Sequence, residues 1–172
     1  MRFTTNYSKM TESNNNSNEP MPAGYYEAKI VDVIEGQPTP SGKEKIQVHM
    51  QIRDDLDQAL PKTNGKQHRR YIWGDIWFSN GKNHDKEYML QPESCLNLLK
   101  AAGYPEGTPF ENTAKSLDTL VGGKAVKIKV GINEYNGKKS NEVAFWDYYK
   151  TDYPMDPNQS KPVDVKESDL PF

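Results

Sequence analysis

Two stretches of this sequence alternate apolar and polar residues without a slip, and that pattern restricts the fold more than any other feature. Ile46, Val48, Met50 and Ile52 interleave with Lys45, Gln47, His49, Gln51 and Arg53, and Val126, Ile128, Val130 and Ile132 interleave with Lys127 and Lys129. A period of two places each apolar set on one face of an extended strand, so both stretches predict strands half-buried against a core. A third stretch, Arg69 to Phe78, is rich in aromatic and β-branched residues. Period two divides it into Arg69, Tyr71, Trp73, Asp75 and Trp77 on one face and Ile72, Gly74, Ile76 and Phe78 on the other.

The remaining elements follow from local signals. Tyr25 to Ile34 reads as a first strand whose apolar phase shifts near Ile30-Val31, as a bulge would shift it. Residues 36–43 form a loop by their Gly and Pro content, and Asp54 to Lys66 is a polar loop. Gln91 to Gly103 has early Pro and Glu, apolar residues at helical spacing and a closing Gly, which predicts a helix with its C-cap. A short helical turn is expected around Leu117 to Val121. Asn136-Gly137 is a hairpin signal, and Glu142 to Tyr149 reads as the fifth strand. The order β-β-β-α-β-β predicts an all-β chain with the OB-fold, a five-stranded Greek-key barrel with one helix between strands 3 and 4. An immunoglobulin-like sandwich needs about seven strands and is disfavoured. Residues 1–20, rich in Asn and Ser, and 151–172 are expected to be disordered tails flanking a domain over 21–150.

Length and composition set the outer bounds. The 172 residues fit one domain with tails. No apolar run approaches the ~20 residues of a bilayer crossing, and Met1-Arg2-Phe3-Thr4-Thr5-Asn6 lacks a secretory h-region, so a non-membrane, cytoplasmic protein is expected. Cys95 is the single cysteine, which excludes an intramolecular disulfide. The net charge of -2 is unevenly spread: residues 20–150 hold 18 Lys and Arg against 17 Asp and Glu, while 151–172 hold two Lys against five acids. The acidity therefore sits in the tail, and a near-neutral domain can still present a basic face.

The polar face of strands 2 and 3 is the most informative surface. It sets Lys45, Gln47, His49, Gln51 and Arg53 beside Arg69, Tyr71, Trp73 and Trp77. Single-stranded nucleic acid exposes flat bases and a charged backbone, so a sequence-tolerant binder needs rings to stack on and cations beside them. The competing reading packs Trp73 and Trp77 into the core or an oligomer interface, with a bulge at Gly74 reversing the phase. Lys127 and Lys129 on strand 4 and Lys138 and Lys139 at the hairpin are candidate phosphate contacts. As surface lysines they equally serve to discourage edge pairing, and Lys43 in the first loop shares that ambiguity.

Signals for catalysis or metal binding fail on inspection. Gly36 to Glu44 resembles a phosphate-binding loop but has five residues between its glycines, Glu44 where Ser or Thr is needed, and a strand where a helix should begin. Asp54, Asp55 and Asp57 lack the Gly and Glu of a calcium loop, and His49, His68 and His84 have no metal-ligand spacing. The sequence predicts neither cofactor, metal nor enzymatic activity.

The chain ends in Glu167-Ser168-Asp169-Leu170-Pro171-Phe172. Acids followed by an apolar pair suit a partner pocket with a hydrophobic floor and a basic rim. This tip resembles the acidic C-terminal peptide of bacterial single-stranded DNA-binding proteins, which recruits replication, recombination and repair enzymes. It has two acids in its last six residues where those tips often carry three in a row. The body is similar to a phage family catalogued as a domain of unknown function and assigned to single-strand binding. The residues carrying that likeness are Gly24-Tyr25-Tyr26-Glu27-Ala28, Ser41-Gly42-Lys43, Leu98 to Gly103, Gly122-Gly123-Lys124 and Tyr135 to Lys138. The resemblance implies a phage or prophage protein that binds single-stranded DNA with little sequence preference in the bacterial cytoplasm. It also implies that Asp169, Leu170, Pro171 and Phe172 engage replication and recombination proteins. A homo-oligomer, dimer or tetramer, is expected. A strand-annealing accessory protein and a protein-interaction module are the rival readings.

Overall fold

The computed structural model describes residues 1–5, 19–37, 40, 44–77 and 92–155. Those residues form a mostly β structure of six antiparallel strands: β1 (Gly24–Glu35), β2 (Lys45–Ile52), β3 (Tyr71–Trp77), β4 (Ala125–Tyr135), β5 (Lys138–Glu142) and β6 (Tyr148–Lys150). The sheet runs β3-β2-β1-β4-β5, with β6 also on β4. β1 is the shared centre, pairing with β4 through Gly24 to Lys29 and with β2 through Ala28 to Glu35. Its register against β2 shifts between Ile30 and Asp32, which turns Val31 outward and returns Val33 to the core, the shift expected from the apolar phase.

The inner face is built from the alternating sets. Ala28, Ile30, Ile46, Val48, Met50, Ile52, Ile72, Ile76, Val126 and Ile128 are all buried in one cluster. Complete burial of such side chains contributes about 1.5–3 kcal/mol each. Two helices close the core between β3 and β4: α2 (Leu96–Ala101), entered through a 3-10 turn Pro92–Cys95, and α3 (Ala114–Val121). The Thr113 side chain caps α3 by accepting from the Ser116 amide at 3.2 Å, and Asp118 accepts the Val33 amide at 3.0 Å, tying the helix to β1 just past its bulge. Buried Cys95 packs at the base of α2, and burial, aided by Glu93, pushes its thiol up to about 12.

Several expectations need correction. The single barrel helix expected between strands 3 and 4 is joined by a second, because the turn read at Leu117 to Val121 is a full helix, α3, and the loop from Asp54 to Lys66 contains the start of a one-turn helix, α1 (Asn64–Gln67). Buried Asn64 is its anchor, donating to the carbonyls of Glu27 and Arg53 and accepting the Glu27 amide. Strand 3 begins at Tyr71, because Arg69 takes a left-handed turn conformation (φ 64°). The expected fifth strand, Glu142 to Tyr149, is interrupted: β5 ends at Glu142, a turn closed by Asp147 N–H to Ala144 O intervenes, and β6 follows. The count is six strands instead of five, and among the described residues no ladder joins β3 to β5, so the sheet is not closed.

The sheet nevertheless curls far enough for its ends to touch. Tyr148 of β6 is buried, and its hydroxyl sits against Gly74 of β3 in the space that a Cβ there would occupy. β3 stays in continuous register with β2 from Tyr71 to Trp77. Gly74 is therefore the point where the far strand packs and not a bulge, and the outer face keeps the phase that places both tryptophans on it.

Candidate functional site

Cross-strand pairing decides which side chains meet on the outer face. Trp77 lies opposite Lys45, Asp75 opposite Gln47, Trp73 opposite His49 and Tyr71 opposite Gln51. The His49 ring stacks on Trp73 with centroids 4.0 Å apart and planes 7° from parallel, and lies 5.0 Å from the Tyr71 ring. His49 Nδ1 is 3.4 Å from Asp32 across the β1–β2 ladder. Lys45 Nζ stands 4.9 Å from the Trp77 ring centroid and 3.0 Å from Asp75 Oδ2, while Gln47 donates to Asp75 Oδ1 at 3.0 Å. The two rows thus brace one another, and Tyr71 (59% exposed) and Trp73 (39%) present ring surface to solvent.

Beyond β3 this face opens into a groove of about 450 Å³. Trp73, Asp75 and Trp77 form one wall; Asn133, Ser140 and the loop from Val143 to Trp146 form the other. All three tryptophans of the sequence line it. Trp146 is 57% exposed and meets Phe145 edge-on at 4.7 Å. Sequence reasoning missed it by running one strand through Glu142 to Tyr149. The signal against that strand is Phe145-Trp146, two adjacent bulky rings where alternation allows one.

The other expected surface cations fall into three groups, with Arg53 apart from them. Lys138 and Lys139 flank the Asn136-Gly137 turn, whose positive φ values of 51° and 75° close the β4–β5 hairpin. Lys138 shares a face with Ser140, which lines the groove, and Lys139 points to the opposite face. Lys127 and Lys129 sit on β4, separated from β3 by β1 and β2. There Lys127 bonds Asp152 at 3.0 Å beside Tyr25 and Tyr149, a patch apart from the tryptophans. Arg69 is exposed and bonded to Asp54 at 2.8 Å, a pairing that holds the Asp54 carboxyl below its usual range.

Arg53 is a correction. The alternation of β2 was carried one residue too far: the strand ends at Ile52, and Arg53 turns inward to 5% exposure. Its guanidinium grips Asp55 at 2.6 and 2.9 Å, Thr151 Oγ1 at 3.3 Å and the Tyr153 carbonyl at 2.6 Å. It clamps residues 151–153 to the domain and has no surface to offer a phosphate. Glu27 lies in the same buried cluster, accepting from the Thr151 hydroxyl and the Asp152 amide, and burial raises its pKa. Lys43, His84 and the tip Asp169, Leu170, Pro171 and Phe172 lie outside the described residues.

Among the described residues no three His, Cys, Asp or Glu are placed to hold a metal ion, and no helix is long and apolar enough to cross a membrane. Fold and groove together define a mostly β protein with an open, tryptophan-lined groove along one edge of its sheet. The chain belongs to the family described as Protein of unknown function (DUF669), which matches residues 6–162. No curated protein matches the sequence.

Proposed function

We propose that this protein binds single-stranded DNA with little sequence preference, as a non-enzymatic protein of phage or prophage replication and recombination. The observation that carries the reading is the convergence of Trp73, Trp77 and Trp146 on one solvent-open groove. Buried tryptophans would argue for packing alone; these rings expose area beside polar groups, the surface on which bases stack at about 1–3 kcal/mol each. The architecture supports a partly open OB-fold barrel: β1 shared by two antiparallel ladders, β3 facing the β4–β5 hairpin across the groove, helices between β3 and β4. Recruitment of replication and recombination proteins through Asp169, Leu170, Pro171 and Phe172, assembly as a dimer or tetramer, and a bacterial cytoplasmic setting belong to the same proposal.

The cations of this surface shape what the binding should look like. Lys45 and Arg69 each carry an aspartate partner. The exposed Arg69–Asp54 pair is worth only about 0–1 kcal/mol, so a phosphate can replace that carboxylate, whereas Lys45 is largely covered and stays with Asp75, and the net gain in charge is small. Stacking should therefore dominate, and affinity should fall only shallowly with salt. The test is a titration of labelled oligo(dT) across a salt series. Saturable binding with a log–log slope weaker than about -2, roughly three phosphate contacts at ~0.7 each, supports the reading, and no binding at low salt refutes it.

A second reading, in which the groove holds a protein partner, draws on the same pairing of cations with acids, which suits a less charged ligand. It predicts no response to any oligonucleotide.

A further inference from the structure

Asp75 is an odd residue for a surface meant to hold a polyanion. It stands on β3 between Trp73 and Trp77, and its carboxylate lines the groove. Alternate residues of a strand are about 6.6 Å apart, so Asp75 is about 6.6 Å along the strand from each ring. Its two oxygens are held from the β2 side, Oδ2 by Lys45 and Oδ1 by Gln47. A carboxylate has about four acceptor sites, so these bonds fix its orientation and leave roughly one free lone pair on each oxygen. His49, the cross-strand partner of Trp73, covers one face of its ring and does not itself line the groove, so the face left to a ligand is the one that opens on the groove, with Asp75 two residues along the same strand.

From this geometry, and resting on the DNA-binding reading above, we propose that Asp75 and Trp73 form a base-edge subsite selective for nucleobases bearing an exocyclic amino group. A base stacked on the open side of Trp73 turns its edge towards Asp75. Cytosine N4, adenine N6 and the N1–N2 edge of guanine each donate to a carboxylate, a charge-assisted bond stronger than a neutral one. Uracil and thymine present an N3–H flanked by two carbonyl oxygens, and those oxygens repel the carboxylate. The same charge turns phosphates away from this wall of the groove, leaving the backbone to its solvent side. One such slot biases composition without reading a sequence.

The test compares oligo(dC) with oligo(dU), pyrimidine strands of equal size that differ at C4 and N3, on the full-length protein and on Asp75→Asn at neutral pH. The wild type should bind oligo(dC) about tenfold more tightly, within the range of one base contact. In Asp75→Asn, which keeps size and shape, the ratio should fall to about one, with the change in the oligo(dC) affinity and oligo(dU) binding equal or tighter. A wild-type ratio of one, or a ratio unchanged by Asp75→Asn, overturns the subsite while leaving single-strand binding intact. Failure of the wild type to bind either strand overturns the DNA-binding reading and the subsite with it. A circular dichroism spectrum matching wild type confirms that Asp75→Asn is folded.

Discussion

Replacing Gly74 with Ala should destabilise the protein through a contact made between the two ends of the sheet. The added methyl would stand under 3.0 Å from the Tyr148 hydroxyl and 3.3 Å from both Tyr148 Cζ and Met50 Cε. Carbon contacts settle at about 3.5–4.0 Å, so β3 or Tyr148 must move in a core without spare volume. Overpacking of this kind costs about 1–3 kcal/mol, and the gain of about 0.5–1 kcal/mol from replacing a strand glycine offsets part of it. The expected net loss is about 1–2 kcal/mol. Tyr148 supplies the control, because its hydroxyl is buried and without a hydrogen-bond partner among the described residues. Tyr148→Phe removes an unsatisfied polar group, so it should be neutral or stabilise by up to about 1 kcal/mol. In the double variant the clashing oxygen is gone, and at least half of the Gly74→Ala loss should return. Urea unfolding followed by circular dichroism, with all four proteins fitted to a common m-value, gives the coupling energy. A Gly74→Ala protein as stable as wild type, or a double variant no better than Gly74→Ala, would refute the packing of β6 on β3. It would also remove the reason given for the outward phase of Trp73 and Asp75.

Trp146→Ala and Trp73→Ala should each weaken oligonucleotide binding by about 1–3 kcal/mol in fluorescence anisotropy, while Lys127→Ala, on the β4 patch, should change it by less than about 0.5 kcal/mol. Equal losses at all three positions would contradict the groove as the site. Arg53→Met should lower stability by about 1–3 kcal/mol, the scale of leaving the Thr151 and Tyr153 oxygens without their donor, with the affinity of the folded protein within about twofold of wild type. A large affinity loss without a stability loss would return Arg53 to the ligand. Glu27 has a raised folded pKa, so the folded state retains a proton that the unfolded state releases, and this group makes stability fall as pH rises from about 4.5 towards the folded value. Asp55, lowered by its Arg53 bond, acts oppositely, adding stability above its unfolded pKa that is lost as pH falls through the folded one. Glu27→Gln should therefore flatten the decline in urea midpoint above pH 4.5, and an unchanged slope would contradict the raised pKa.

The strands whose two faces meet different environments were legible because a period of two records that difference directly. β2 is the clearest case, and β4 follows it only as far as Val130, because Ile132, read with the core set, lies in the exposed half of the strand that pairs with β5; the Asn136-Gly137 turn and the β1 bulge followed from equally local chemistry. The errors came where tertiary contacts override local pattern. Arg53 continues the polar phase of β2 in sequence, yet Asp55, Thr151 and Tyr153 draw it inside. α1 has no apolar periodicity to announce it and is held by the single buried Asn64. The groove itself was only half visible. Its β3 wall was read from alternation, but Trp146 reaches it from a turn some 70 residues further along the chain. No local pattern records that approach.

The most direct test of the central claim is the intrinsic fluorescence of the unmodified protein during titration with unlabelled single strands. Every tryptophan lines the proposed site, so bases stacking there should quench the signal saturably, and a duplex of the same sequence should quench it far less. Unchanged emission at saturating single strand, or equal quenching by duplex, would contradict the assignment of the groove to single-stranded DNA.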